Sequence, residues 1–434
     1  MTGSDESRPS VLLWSYSRVE TAGGNSGTPV NIIIVSDFAH VSGGNAAVAL
    51  TSASGLARQG HAVTVFAGVG PVGAEIASGP VKVICTGQQA IADDPRRTRA
   101  VVQGIWNVKA ARMMAEALRS MDLSRTVVHV HGWDKALSSS VVRTALSLGA
   151  KVVCTFHDYV SVCPNGGFYN HSRDEICRLR PLSLACVMES CDRRGYGQKL
   201  WRVVRHSVQR RWGLLPDAVK HVVVVSDFSR RVLEPFLPAG IRIHPVPNMI
   251  GVIRTTPAAP ADNSAYVMVG RMSREKGPHL LASVAGRTGW SVKFIGDGES
   301  VTDIRRLAPG ATVTGWLSRD AVLKEIAQAR ALIFPSLWYE GEPLVILEAA
   351  ALGIPAVVAD SCAARDLVID GETGLYFRSG DDRDLQSVME RLQDRDLVRR
   401  MGEAAYGRYW SNPRSLERHL ADLERVYELV LRDE

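Results

Sequence analysis

Short runs of β-branched residues recur along this chain, and most are followed by a loop and a stretch of helical spacing. That alternation demands parallel strands joined by crossover helices, because parallel neighbours cannot be linked by a tight turn. The first run, Asn31-Ile-Ile-Ile-Val-Ser36, reads as a strand covered on both faces. A loop with Gly43-Gly44 follows, then a helix from about Asn45 to Gln59, closed by Gly60, and a second strand from Ala62 to Phe66. Further strands are expected at Val81 to Cys85, Val127 to Val130, Lys151 to Phe156 and Val222 to Ser226. The pattern restarts with Tyr266 to Gly270, Val292 to Gly296, Ala331 to Ser336 and Pro355 to Asp360.

Between these halves the chain is rich in Pro and Ala from Pro245 to Ser264, a linker composition. After Pro413, Leu416, Leu420, Leu423, Val426, Tyr427 and Val430 fall at helical spacing. A length of 434 residues suits two such domains. The expected organisation is a flexible tail over 1–28, a first Rossmann-like domain over 29–250 with a cysteine-containing insertion at 160–200, a second over 251–408, and a helix over 409–434 crossing back to the first. Two α/β domains so joined leave a ligand cleft between the carboxyl edges of their sheets.

Composition removes other classes. Hydrophobic residues at 46% and charged residues at 22% exclude wholesale disorder. No apolar run approaches the ~18 residues of a membrane span. The first thirty residues carry Asp5, Glu6 and Glu20 around a short apolar core, Val11 to Trp14, unlike a secretory signal. A cytoplasmic location with reduced thiols is therefore expected. The net charge of +6 gathers between Arg193 and Lys220, and no interleaved aromatic motif supports a nucleic-acid partner.

Two segments carry chemistry. In Pro335-Ser-Leu-Trp-Tyr-Glu340-Gly-Glu-Pro343-Leu-Val-Ile-Leu-Glu348, a buried strand gives way to a loop and Pro343 opens a helix ended by Gly353. Free amides and a positive dipole end then lie between Glu340 and Glu348, a site suited to phosphate. In Gly270-Arg271-Met-Ser-Arg-Glu-Lys276-Gly277, Arg271 can fork onto phosphate oxygens and Lys276 adds a point charge.

In combination and order these segments resemble the retaining GT-B glycosyltransferases of family 4. The resemblance also includes Ser42-Gly43-Gly44, His129-Val-His-Gly132, Val225-Ser226-Asp-Phe-Ser-Arg, Val246-Pro-Asn248, Ile295-Gly296-Asp-Gly298 and Asp370 to Phe377. It implies two Rossmann-like domains with parallel sheets facing across a cleft, the first taking the acceptor and the second a nucleotide sugar. Arg271 and Lys276 would hold the donor diphosphate beside Gly270, and Glu348 the ribose. Glu340, Gly341, Leu344 and Val345 would meet the sugar and phosphates, His131 would sit at the reaction centre, and Gly43 and Gly44 would approach from the opposite domain. Two departures stand out: Glu342 where a Phe is frequent, and Ala363-Ala364-Arg365-Asp366 where many members carry Gly-Gly before a later Glu.

The chemistry is consistent with that resemblance. Breaking a sugar–diphosphate bond leaves negative charge that cations, amides and a helix dipole can meet without a cofactor. Retention follows from double displacement or from same-face internal return. The expected partners are a nucleotide-sugar donor and a glycan or lipid-linked acceptor, in cell-surface polysaccharide or glycoconjugate synthesis. A nucleotide-sugar epimerase and a non-catalytic sugar-nucleotide binder are the alternatives. His157, in Thr-Phe-His-Asp-Tyr, is an acceptor-cleft candidate. Cys163, Cys177, Cys186 and Cys191 cluster in one insertion, so a structural zinc site competes there with scattered thiols and with disulfides. The stretch bearing Arg194, Arg202 and Arg205 is either a solvated helix face or a contact for an anionic membrane surface.

Overall fold

The structure is a computed structural model and describes residues 29–433. The expected tail over 1–28 lies outside the described residues. The first part of the chain forms β1 (Asn31–Phe38), β2 (Ala62–Val69), β3 (Lys82–Cys85), β4 (Thr126–Val130) and β5 (Lys151–Phe156). A small antiparallel hairpin follows, β6 (Tyr169–Asn170) with β7 (Glu175–Ile176), and then β8 (His221–Val224) and β9 (Arg242–Pro245). Seven of these strands make one parallel sheet in the order β3-β2-β1-β4-β5-β8-β9.

The second part supplies β10 (Tyr266–Val269), β11 (Val292–Ile295), β12 (Thr312–Val313), β13 (Ala331–Phe334), β14 (Ala356–Ala359) and β15 (Gly374–Phe377). They form a second parallel sheet, β12-β11-β10-β13-β14-β15. In both sheets the first strand of the unit is central and the order reverses beside it. Crevices of that kind, at the carboxyl ends of the strands, are where α/β folds take ligands.

β1 shows why an unbroken apolar run is needed. Ile33 and Val35 pack into one core with Met114, Leu118, Val141 and Val142. Ile32 and Ile34 pack into another with Leu50, Ala53, Leu420 and Tyr427. Both faces of the strand are therefore covered, and polar alternation would bury unpartnered groups.

The chain passes between the two sheets twice. It leaves the first after β9 and enters the second at β10; it returns after the helix Arg395–Ser411 to the helix Leu416–Arg432. Leu420, Leu423, Val426, Tyr427 and Val430 of that last helix are buried in the core of the first sheet. Gly55 lets it lie so close, since a Cβ there would meet Leu420 Cδ1 at 2.5 Å. The two passes run side by side, with the Ile250 amide donating to the Arg414 carbonyl at 3.0 Å.

Candidate active site

A cavity of about 720 Å³ separates the two sheets, lined by residues at or just beyond the carboxyl ends of β1, β4, β5, β10 and β13. It brings together Gly43, Gly44, His131 and His157 from one side with Gly270, Arg271, Lys276, Glu340, Gly341, Leu344 and Val345 from the other. Glu348 does not line it. Its carboxylate turns to Arg319, 3.1 Å away.

The loop after β10 ends in a short turn, Arg274–Lys276, and then Gly277. Gly277 has φ +73°, and a Cβ there would lie 2.0 Å from the Pro335 carbonyl oxygen. Only glycine allows this loop to press on the end of β13, and the contact places Lys276 beside Glu340. The Lys276 ammonium donates to both Glu340 carboxylate oxygens, at 2.7 and 2.8 Å, and the Ser336 hydroxyl donates to Oε1 at 2.6 Å. The Trp338 ring lies 5.2 Å from the same ammonium.

Glu340 holds φ +56°, a left-handed conformation costing a side chain ~1–3 kcal/mol. Three residues from the other side of the cavity hold it there. Tyr159 donates from its hydroxyl to the Glu340 carbonyl at 2.6 Å, and Ser226 from its hydroxyl to the Gly341 carbonyl at 2.7 Å. The Asn248 amide donates to Glu342 Oε2 at 2.8 Å. Gly341 packs so closely that a Cβ would lie 2.2 Å from the His157 carbonyl oxygen.

The helix Leu344–Ala351 begins at this loop with no side-chain cap and no acidic residue in its first turn. Its open amides and dipole leave the cavity ready for an anion. On the second-sheet side of the cavity Lys276 pairs with Glu340 and Arg271 with Glu275, the latter at 2.6 Å.

The histidines form a buried chain. His129 bonds Tyr427 and Thr155, each at 2.7 Å, and burial holds it down to about 3, so it is neutral. His131 Nδ1 meets His157 Nε2 at 3.0 Å. Burial first, and the neighbouring His129 and His157 that would repel a second imidazolium, hold His131 well below its usual range, and its Nε2 is buried without a partner on the cavity wall. A neutral imidazole with one open nitrogen can exchange a hydrogen bond with a sugar, but is a poor reservoir for a full charge.

The cysteine cluster takes a different form from the zinc expectation. Among the described residues no group of three or more His, Cys, Asp or Glu side chains is placed to hold a metal ion. The buried Lys199 ammonium lies among the thiols instead, donating to Cys186 at 3.5 Å and Cys191 at 3.3 Å. Burial raises the Cys163, Cys177 and Cys191 thiols, so they stay protonated beside this lysine. The site Cys163, Cys177, Cys186 and Cys191 is therefore not supported.

The arginines of the helix Tyr196–Arg211 are divided. Arg202 pairs with buried Asp192 at 2.7 Å, and Arg205 donates to the Asp134 carbonyl at 3.0 Å, so these two brace the protein rather than face solvent. Tyr159, Ser226 and Trp338 escaped the sequence reading as site residues. Tyr159 and Ser226 stand in segments singled out for other reasons, Thr-Phe-His-Asp-Tyr and Val-Ser-Asp-Phe-Ser-Arg.

Two parallel Rossmann-like sheets meeting at their carboxyl edges over a cationic loop and a helix start define a GT-B glycosyltransferase. Residues 42–252 match the Glycosyltransferase Family 4 model and residues 252–408 the Glycosyl transferases group 1 model. The chain belongs to this family. It is 25% identical over 317 residues to a GDP-mannose-dependent monoacylated alpha-(1-6)-phosphatidylinositol monomannoside mannosyltransferase of Corynebacterium glutamicum, covering 64% of this chain and 81% of the relative. It is 29% identical over 205 residues to an exopolysaccharide phosphotransferase of Streptomyces coelicolor, but spans only 22% of that protein's length and 44% of its own. The crystal structure of Anabaena HepE in complex with UDP-glucose shares the fold, with a TM-score of 0.63 at 14% identity over 92% of this chain and all of that one.

Proposed function

We propose that this chain is a retaining glycosyltransferase that moves a sugar from a nucleoside-diphosphate sugar to a glycan or lipid-linked acceptor in cell-surface polysaccharide or glycoconjugate synthesis. The observation that carries this is the convergence of Arg271, Lys276, the open start of the helix Leu344–Ala351 and His131 on one cavity. As the glycosidic bond breaks, the leaving diphosphate gathers negative charge; Arg271, Lys276 and the amides of Leu344 and Val345 meet it. Glu340, held rigid, orients the sugar, and His131 Nε2 bonds it from the opposite side. Residues 29–250 take the acceptor, 251–408 hold the donor, and 409–434 tie the two together. Glu348 would hold the ribose only by turning its carboxylate from Arg319 toward the cavity. The donor named for the mannosyltransferase relative and the ligand of HepE support a nucleotide-linked hexose.

The test is release of UDP or GDP from a panel of sugar nucleotides with glycan and lipid-linked acceptors, and the anomeric configuration of the product by NMR. Arg271→Ala or Lys276→Ala should cut kcat/KM tenfold or more, about 1.4 kcal/mol of transition-state stabilisation per tenfold. Wild-type turnover in both variants, or an isomerised nucleotide sugar formed without acceptor, would replace the assignment.

The same proposal places the protein at the cytoplasmic face of a membrane. Among the described residues no helix is long and apolar enough to cross one. Leu184, Met188, Tyr196, Leu200, Val204 and Trp212 are nonetheless exposed, with Arg194 and Arg211 among them. Apolar side chains interleaved with cations suit an anionic lipid surface. Sedimentation with phosphatidylglycerol vesicles should fall in Leu200→Glu and Trp212→Glu; equal sedimentation of both variants and the wild type removes the contact.

A further inference from the structure

Buried polar side-chain atoms without partners are uncommon, and each asks for an explanation. Several lie on the wall of this one cavity: His131 Nε2, Trp338 Nε1, Asn248 Oδ1 and Glu342 Oε1. The last two belong together. The Asn248 amide donates to Glu342 Oε2 at 2.8 Å, which leaves the other carboxylate oxygen and the Asn248 side-chain carbonyl both unmet. Asn248 is 5% exposed. With Glu342 ionised both unmet atoms are acceptors, and only a donor brought from elsewhere satisfies them; protonated, Glu342 would itself donate from that oxygen.

Glu342 adjoins Gly341 and Glu340, whose side chain already spends its oxygens on Lys276 and Ser336. The cations near the diphosphate side are likewise committed, Arg271 to Glu275 and Lys276 to Glu340. Glu342 is thus the carboxylate on this loop with a vacant oxygen. Burial lifts its carboxyl to about 7, with Arg414 and Asn248 working the other way. A carboxyl in that state gains from any donor brought to it.

We infer that Glu342 and Asn248 form a recognition pair for the transferred sugar, taking a hydrogen-bond donor from it, either a hydroxyl or an ammonium, and rejecting a sugar that carries an anion at that position. The inference rests on the donor site proposed above and adds to it the kind of sugar that fits. A hydroxyl would donate to one or both oxygens. An ammonium would satisfy both and neutralise the carboxylate, the stronger arrangement. A carboxylated sugar would place like charges together.

Calorimetric titration of the full chain with UDP, GDP, GDP-mannose, UDP-glucose, UDP-glucosamine and UDP-glucuronate tests this, in the wild type, Glu342→Gln, Glu342→Phe and Asn248→Ala. Asn248→Ala keeps the backbone donor to Glu342 and removes the whole carboxamide, the open carbonyl together with the side-chain NH2 that supports Glu342. The expected result is unchanged affinity for the bare nucleotide, within twofold, in every variant. The preferred sugar nucleotide should bind about tenfold more weakly in Glu342→Phe and Asn248→Ala. A loss near a hundredfold for UDP-glucosamine in Glu342→Gln, against about tenfold for UDP-glucose, identifies the ammonium source; similar losses identify the hydroxyl. Glu342→Gln should also admit UDP-glucuronate at least tenfold better than the wild type does. Unchanged sugar-nucleotide affinities in the variants, or equal losses for the bare nucleotide and its sugar conjugate, overturn the inference and leave the donor site standing. A wild type that binds no nucleotide or sugar nucleotide overturns both.

Discussion

Replacing Tyr159 by Phe removes one oxygen and, by the geometry of the cavity, a large part of the activity. The Tyr159 side chain is buried, and burial followed by the Glu340 charge holds its hydroxyl well above the usual tyrosine range, so it remains a donor. That donor meets the Glu340 carbonyl at 2.6 Å. Phenylalanine keeps the ring contacts with Phe168 and Tyr339, at 5.6 and 6.1 Å between centroids, and deletes only the hydrogen bond. A buried carbonyl deprived of its partner costs ~1–3 kcal/mol, and the left-handed Glu340 backbone stores strain of the same order, ~1–3 kcal/mol. Once the bond is gone, relaxation of Glu340 becomes competitive and carries its carboxylate away from Lys276. A loss of ~1–3 kcal/mol in transition-state stabilisation corresponds to roughly 5- to 150-fold in kcat/KM. Initial rates of nucleotide release measure it. Ser226→Ala, which frees the adjacent Gly341 carbonyl, should give a similar but smaller loss, and the double variant should lose less than the sum because one loop is released in both. Turnover of Tyr159→Phe within twofold of the wild type, or strict additivity with Ser226→Ala, would refute the reasoning.

Other consequences can be measured on the same material. Leu420→Ala should destabilise the first lobe by about 2–5 kcal/mol through the cavity left against Gly55 and Leu50, read as a lower urea midpoint. Glu342 has a folded-state carboxyl near 7 against 4.5 for the free side chain, so the stability it lends is present below pH 4.5 and is lost as pH rises toward 7. Glu342→Gln should therefore gain stability relative to the wild type across that window, by up to about 3 kcal/mol, and hold it above; a pH-independent difference in melting temperature contradicts this. Glu348→Ala should raise the donor KM with little change in kcat, whereas a fall in kcat alone would point away from the ribose.

Much of the architecture was readable in the residues because it rests on local physics. The run Lys151 to Phe156 is a strand over the expected span, and the helix foreseen from about Asn45 is found at Gly44–Arg58. What escaped was marginal by local criteria. β9 is a four-residue edge strand ending on Pro245, the residue at which the linker composition begins, β12 is two residues long, and β15 hides in a glycine-bearing turn. The site followed the same division. Arg271, Lys276, Glu340 and His131 lie where strand ends must put them, on one cavity. Their partners depend on contacts between residues far apart in the chain, such as Tyr159 with Glu340 and Arg319 with Glu348, which no spacing rule contains. The cysteines make the point in reverse: their clustering was visible, but the lysine that lies among them could be located only in three dimensions.

The paired chain crossings at Ile250 and Arg414 bear on how such an enzyme opens. One strand of backbone would be a loose tether, about which two lobes could swivel, slide or twist. Two strands fastened together act as the spine of a book, and the cheapest motion left is rotation about that line. Every amide, ammonium and imidazole around the cavity would then separate along an arc, with the widest gap opposite the spine. Cargo too bulky to thread into a shut pocket could enter from that free edge, and the same edge would be last to seal before water is shut out.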